Sequence, residues 1–237
     1  MGICIKIFST KCIACSKLAG SYLFGKNLVN KGEVEIINNG INIDTFHKED
    51  IKVKDHLTQE LDISDRDYVL GFVGRLVPVK NPLFVLLLLE RILESIPEAI
   101  CIIVGEGPLK SEIEYQARKR NLLKSIRLTG NRNDIPDIMG LFDVFLLPSH
   151  FEGLPIVALE AQAKGLPCII SDNVPDSVDL GLDLVQQVSL GDIDGWVNAV
   201  SKKIENELDK EKIKNVFNSK GFDSKSSSIK LLKVYGV

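Results

Sequence analysis

From Tyr68 onward the chain repeats one pattern, and that pattern restricts the fold more than anything else in it. Six short runs rich in β-branched or aromatic residues recur: Tyr68–Val73, Ala99–Val104, Ile126–Leu128, Val144–Leu147, Pro167–Ile170 and Leu184–Val188. Between and after them lie stretches with helical spacing. An apolar helix is expected from Asn81-Pro82 to Ile96, a charged one from Pro108 to Asn121, and a short one over Asp134–Phe142. Another opens at Pro155, with further helices over Ile193–Leu208, Lys210–Lys220 and Asp223–Tyr235. Strands alternating with helices predict an α/β fold, a parallel sheet covered on both faces. Such sheets bind ligands in the crevice outside the carboxyl ends of their strands. Arg75, Gly105 to Gly107, Asn131 with Arg132, and Glu152 to Pro155 all fall just past a strand end. They share one edge, which is the expected site.

Before Tyr68 the pattern is weaker. A short helix is expected over Ile13–Gly25 and a strand over Glu33–Ile37, closing on the turn signal Asn38-Asn39-Gly40. A boundary is expected near residues 40–46, followed by an irregular charged stretch with a helix over Lys54–Leu61.

Composition removes several classes of function. The 237 residues are 45% hydrophobic and 26% charged, as in an ordinary globular core-forming chain. A net charge of -3 argues against nucleic-acid binding, which needs a basic face. The five cysteines have no disulfide-scaffold spacing, and Cys12-Ile-Ala-Cys15 lacks a second pair for zinc, so a reducing cytoplasm is expected. Lys6 and Lys11 interrupt the N-terminal apolar stretch, which argues against a signal peptide. Lys6 also breaks the myristoylation pattern. The apolar run Pro82–Leu89 is far short of the roughly 18–20 residues that span a bilayer.

The stretch Phe151–Glu160 carries the chemistry. Glu152 precedes a Gly-Leu-Pro turn, and Glu160 follows inside the helix that Pro155 is expected to open as its first residue. The Gly153 and Leu154 amides then sit at the positive end of a helix dipole, a seat for phosphate. Carboxylates flanking an anion seat cannot hold the anion, but they accept hydrogen bonds from hydroxyls on either side of it. A molecule with hydroxyls on both sides of a diphosphate is a nucleotide sugar. A plainer reading stands beside this one. Glu160 and Lys164 are spaced i,i+4 in the favourable order for a surface pair worth roughly 0.2–0.5 kcal/mol, and Glu152 is an acid near a helix N-terminus.

Arg75 and Lys80 lie between a strand end and the helix entry at Asn81-Pro82, where two cations neutralise a diphosphate or simply stand in solvent. Gly105-Glu106-Gly107 says only that something approaches the backbone closely, because Lys110 replaces the third glycine of the dinucleotide fingerprint and no Walker motif exists. Ser149 lacks the Gly-x-Ser-x-Gly elbow of hydrolases. His150, beside the motif, is read as structural. Of the two Asp-x-Asp triplets, Asp65-Arg66-Asp67 precedes a strand at the wrong edge and Asp192-Ile193-Asp194 sits where helix-capping acids belong, so no metal site is expected.

The segments GFVGRLVPVKNP, IIVGEGPL, LTGNRNDIPDIM, VFLLPSHFEGLPIVALEAQAKGLPCIISD and VEIINNGINIDTF resemble glycosyltransferase family 4, the group 1 transferases with two facing Rossmann-like domains. The likeness is to members that build capsular or exopolysaccharide, and it runs from about Ile13 to the end. It implies the C-terminal, donor-binding half of a GT-B glycosyltransferase, a Rossmann-like doubly wound parallel sheet. Arg75 and Lys80 would bind the diphosphate, Glu152 the donor-sugar hydroxyls, the Gly153 and Leu154 amides the phosphate, and Glu160 the ribose. Asn131 and Arg132 would lie near the base, with Gly74, Gly105, Gly107 and Pro155 completing the lining. Glu152, Arg75 and Lys80 are the expected catalytic groups of a retaining, metal-independent, cofactor-free transfer from a UDP- or GDP-linked sugar to a saccharide or lipid-linked acceptor.

By the same resemblance, residues 1–40 are a remnant of an acceptor domain, 41–220 the donor domain and 221–237 a crossover helix left to pack elsewhere or fray. The chain is then expected to bind a nucleoside diphosphate without transferring sugar alone, to meet membranes only through its acceptor, and to offer the uncovered surface for self-association. A non-catalytic subunit of a split enzyme and a nucleotide-sugar epimerase-like protein are the alternatives.

Overall fold

A computed structural model of the chain describes residues 11–202 and 208–236. They form two compact units: Asp44–Ile213, and the described residues of Met1–Ile43 with those of Lys214–Val237.

The smaller unit begins with strand β1 (Cys12–Ala14), helices α1 (Lys17–Phe24) and α2 (Lys26–Asn30), and strand β2 (Val34–Ile36). The two strands are parallel, with Cys12 opposite Val34. Ile13 and Ala14, expected in a helix, are therefore extended. Pairing with β2 overrides their local preference, and the helix starts only where the Ser16 side chain accepts the Ala19 N–H at 3.1 Å. Ala14, Phe24 and Val34 form a small apolar cluster there.

In the larger unit, α3 (Ile43–His47) leads in from the boundary and α4 (Ile51–Glu60) follows. Strand β3 (Tyr68–Val73) is followed by a 3-10 turn (Pro78–Lys80), α5 (Pro82–Ile92), β4 (Ala99–Val104) and α6 (Lys110–Lys119). Then come β5 (Ile126–Gly130), α7 (Ile135–Met139), β6 (Val144–Leu147), α8 (Ile156–Lys164), β7 (Cys168–Ser171), β8 (Val185–Val188) and α9 (Ile193–Ser201). The helix expected over Ile193–Leu208 thus stops at Ser201, and its continuation over residues 203–207 lies outside the described residues. The chain closes with α10 (Lys210–Lys220) and α11 (Ser224–Tyr235).

The six-stranded sheet runs β5-β4-β3-β6-β7-β8, all parallel. The chain builds outward from β3 in one direction, returns, and builds outward from β6 in the other. This is the doubly wound order, and its switch point lies between β3 and β6. Every residue of β4 and β6 is buried, so the strands read as continuous apolar runs. Helix α5 buries Val85, Leu86, Leu88, Leu89 and Ile92 on the sheet, each worth roughly 1.5–3 kcal/mol. Phe84 meets Trp196 of α9 edge to face, ring centroids 5.1 Å apart. Gly71, in the middle of β3, is demanded by packing: a Cβ there would lie 2.0 Å from the Phe142 ring.

Helix α11 belongs to the smaller unit and is capped by Asp223, which accepts from Ser226 N–H. Its entry is tied down, with the Ile41 N–H donating to Phe222 O at 2.7 Å and the Ser224 N–H to Ile41 O at 3.1 Å. The tail packs against the chain's own leading segment.

Candidate functional site

The loops that leave β3 and β6 flank the switch point, and each is fixed by backbone hydrogen bonds. In the first loop the Gly74 N–H donates to Val104 O and the Leu76 N–H to Glu106 O, both at 2.9 Å. Gly105 has φ +132, and a Cβ there would sit 2.0 Å from Gly74 O. What approaches Gly105 and Gly107 so closely is the chain's own loop, Gly74 to Leu76. The 3-10 turn then aims Lys80 across the switch point, and the His150 N–H donating to Val79 O at 2.8 Å clips the two loops together. The His150 side chain is exposed.

Lys80 and Glu152 meet there. The Lys80 ammonium donates to Glu152 Oε1 at 2.6 Å, and the Ser149 hydroxyl donates to the same oxygen at 2.7 Å. Ser149 is held in turn by Ser171 at the end of β7, whose hydroxyl donates to Ser149 O. Both serines are wholly buried, and the Glu152 side chain is 8% exposed against 20% for Lys80. No hydrogen bond among the described residues ends on Glu152 Oε2. Sequence reasoning missed Ser149 and Ser171, since two small hydroxyls are informative only once their burial is known.

Helix α8 begins one residue later than expected: Pro155 is its N-cap, with φ -73 and ψ 103, and Ile156 is its first residue. A proline has no side-chain oxygen to cap with, so the first turn has no side-chain cap. Among the described residues the Gly153 and Leu154 amides donate to no protein acceptor. Gly153 is exposed and a Cβ there would meet nothing within 4 Å. The N-cap of α8, at the positive end of its dipole, thus follows three residues after Glu152, the partner of the Lys80 ammonium.

Glu160 sits one turn further along α8, half-buried. No ion pair among the described residues joins it to Lys164, so the surface-pair reading does not hold in this structure. Burial raises its carboxyl above the usual range, and burial lowers the Lys164 ammonium. Neighbouring Gln162 is fully buried but satisfied: it donates to Ala158 O and Val178 O and accepts the Leu180 N–H, locking α8 to the loop after β7.

Arg75 and Asn131 are exposed, and no ion pair among the described residues involves Arg75. Arg132 is otherwise engaged. Its guanidinium holds both Asp134, at 2.7 Å, and Glu60 of α4. These bonds depress both carboxyls and raise the guanidinium. Arg132 therefore ties the loop after β5 to α4. Asp192 caps α9 by accepting the Gly195 N–H at 2.9 Å, as its position implied. Among the described residues no three His, Cys, Asp or Glu side chains cluster as metal ligands would.

Residues 53–216 match the family model of glycosyl transferases group 1. EpsF of Bacillus subtilis, named as a glycosyltransferase, is 36% identical over 97% of this chain and 60% of its own length. The UDP-Gal:alpha-D-GlcNAc-diphosphoundecaprenol alpha-1,3-galactosyltransferase of Escherichia coli is 35% identical over 90% of this chain and 59% of its own. Among solved structures, Anabaena HepE in complex with UDP and glucose superposes with a TM-score of 0.78 at 21% identity, covering 99% of this chain and 65% of that one. The chain thus spans about three fifths of the length of these two curated relatives. The architecture, the family match and the two curated relatives agree: the chain belongs to the glycosyl transferases group 1 family and carries half of a GT-B fold.

Proposed function

We propose that Asp44–Ile213 is the donor-binding part of a retaining, metal-independent glycosyltransferase of polysaccharide biosynthesis, working in the cytoplasm on a saccharide or lipid-linked acceptor. The observation that carries this reading is the Lys80 ammonium 2.6 Å from Glu152, beside the uncapped start of α8. The diphosphate is seated by Lys80, Arg75 and the Gly153 and Leu154 amides. Glu152 Oε2 accepts from the donor sugar, and half-buried Glu160 accepts from the ribose. Asn131 lies toward the base. As the sugar–phosphate bond breaks, negative charge grows on the leaving phosphate, where the cations and amides stabilise it without moving. The likeness to a UDP-Gal transferase and to a UDP-bound structure supports uridine as the base, with GDP the alternative.

Calorimetric titration with UDP, GDP and ADP tests the reading. UDP binding that Lys80→Ala weakens by about tenfold or more is expected, the scale of one charge-assisted contact. Failure of all three nucleotides to bind contradicts it. The chain is also proposed to need the acceptor side of its relatives for transfer, so purified alone it binds donor and moves no sugar.

One observation favours a second reading, a binding subunit of a split enzyme. Helix α1 exposes Leu18, Tyr22 and Leu23, with Tyr22 91% exposed. Stable association with a separately expressed acceptor-side half of a relative, in sedimentation, distinguishes the two.

A further inference from the structure

Glu152 stands in a place that makes it a poor neighbour for a diphosphate. It is the more buried member of its ion pair, and its Oε1 is fixed by Ser149, itself fixed by Ser171. Lys80 is the more exposed member, on a long side chain with 20% of its surface exposed. If Lys80 turns to a phosphate, Glu152 keeps only the Ser149 hydroxyl. A buried carboxylate stripped of its cation is costly, and the incoming phosphates repel it as well. A sugar hydroxyl donating to Oε2, the oxygen with no hydrogen-bond partner among the described residues, offsets that loss.

We propose, resting on the donor-binding reading above, that the Lys80–Glu152 pair is a counter-ion switch through which the site selects the intact nucleotide sugar over the bare nucleoside diphosphate. Without ligand, Glu152 neutralises Lys80. With the whole donor, Lys80 serves the phosphate while the sugar takes its place on the carboxylate. After transfer the sugar is gone, Glu152 reclaims Lys80, and the spent nucleotide is expelled. The same residue that holds the sugar therefore speeds exchange of the product for fresh donor.

The test compares UDP with UDP-glucose and UDP-galactose by calorimetry, on wild-type protein and on Glu152→Gln. The amide keeps an acceptor for Ser149 and removes the charge, so folding is retained while the switch is lost. Glu152→Gln is expected to bind UDP about tenfold more tightly, the scale of one charge-assisted contact. It is expected to bind the better of the two nucleotide sugars more weakly, which reverses the preference. In a Lys80→Ala background the gain for UDP should shrink, because the cation being competed for is absent. Unchanged or weaker UDP binding by Glu152→Gln, or an equal shift for UDP and UDP-sugar, overturns the switch while leaving donor binding intact. Wild-type protein that binds none of these ligands overturns the donor-binding reading and the switch with it.

Discussion

Replacing Glu160 by glutamine separates a ligand-directed carboxylate from an ordinary helix-surface acid, because the two roles predict opposite signs. Glu160 lies half-buried on α8, with no ion pair to Lys164, and burial raises its carboxyl pKa. A carboxyl whose pKa is higher in the folded than in the unfolded state favours folding when protonated. Ionised at neutral pH, it therefore subtracts from stability, and the subtraction fades as pH falls through its raised pKa. Glu160→Gln removes the charge but not the shape, so the unliganded protein should gain thermal stability at pH 7. For a domain of this size each kcal/mol recovered is worth about 2–4 °C.

Nucleotide binding should move the other way. A hydrogen bond from ribose to a charged acceptor is worth roughly 1.5–3 kcal/mol, of which an amide retains part. A loss of about tenfold in UDP affinity is the expected outcome. Differential scanning calorimetry and isothermal titration across pH 5 to 8 read both effects, and both should narrow toward the acid end. Had Glu160 been a surface partner of Lys164, the variant would melt slightly lower and bind UDP unchanged. That pair of results refutes the reasoning.

Two further substitutions test the scaffold around the site. Gly71→Ala would place a Cβ 2.0 Å from the Phe142 ring and should cost about 1–3 kcal/mol or more in urea unfolding, with Phe142→Leu restoring part of it. Arg132→Ala frees Asp134 and Glu60, whose carboxyls the guanidinium holds below their usual range. Their contribution is present above the unfolded carboxylate pKa and lost as pH falls through the depressed folded values. The variant should therefore be less stable than wild type at pH 7, and the gap should close toward pH 3 in thermal melts.

Much of the larger unit was legible because its strands are buried on both faces. Ala99–Val104 and Val144–Leu147 are unbroken apolar runs, and the turns after them carry the glycines and prolines that end strands. Strand order was not legible, since it is fixed by contacts between runs far apart in the chain. Local preference also failed where three residues decide the matter: Cys12–Ala14 is a strand only because Val34–Ile36 pairs with it. At the site, the motif residues fell on the expected edge, but their chemistry depends on partners no spacing reveals. Ser149 and Ser171 became readable as the support of Glu152 only through burial and hydrogen bonding. No spacing told that Arg132, expected near the base with Asn131, also holds Glu60, 72 residues away. The Gly105 to Gly107 signal was real, and its cause is the neighbouring loop.

A crystal structure with UDP bound measures the central claim directly, by where the two phosphates lie. The account places them within hydrogen-bonding distance of the Gly153 and Leu154 amides, with Lys80 turned onto them from Glu152 and the ribose hydroxyls on Glu160. UDP found elsewhere on the unit, or seated here with Glu160 facing away from the ribose, contradicts it.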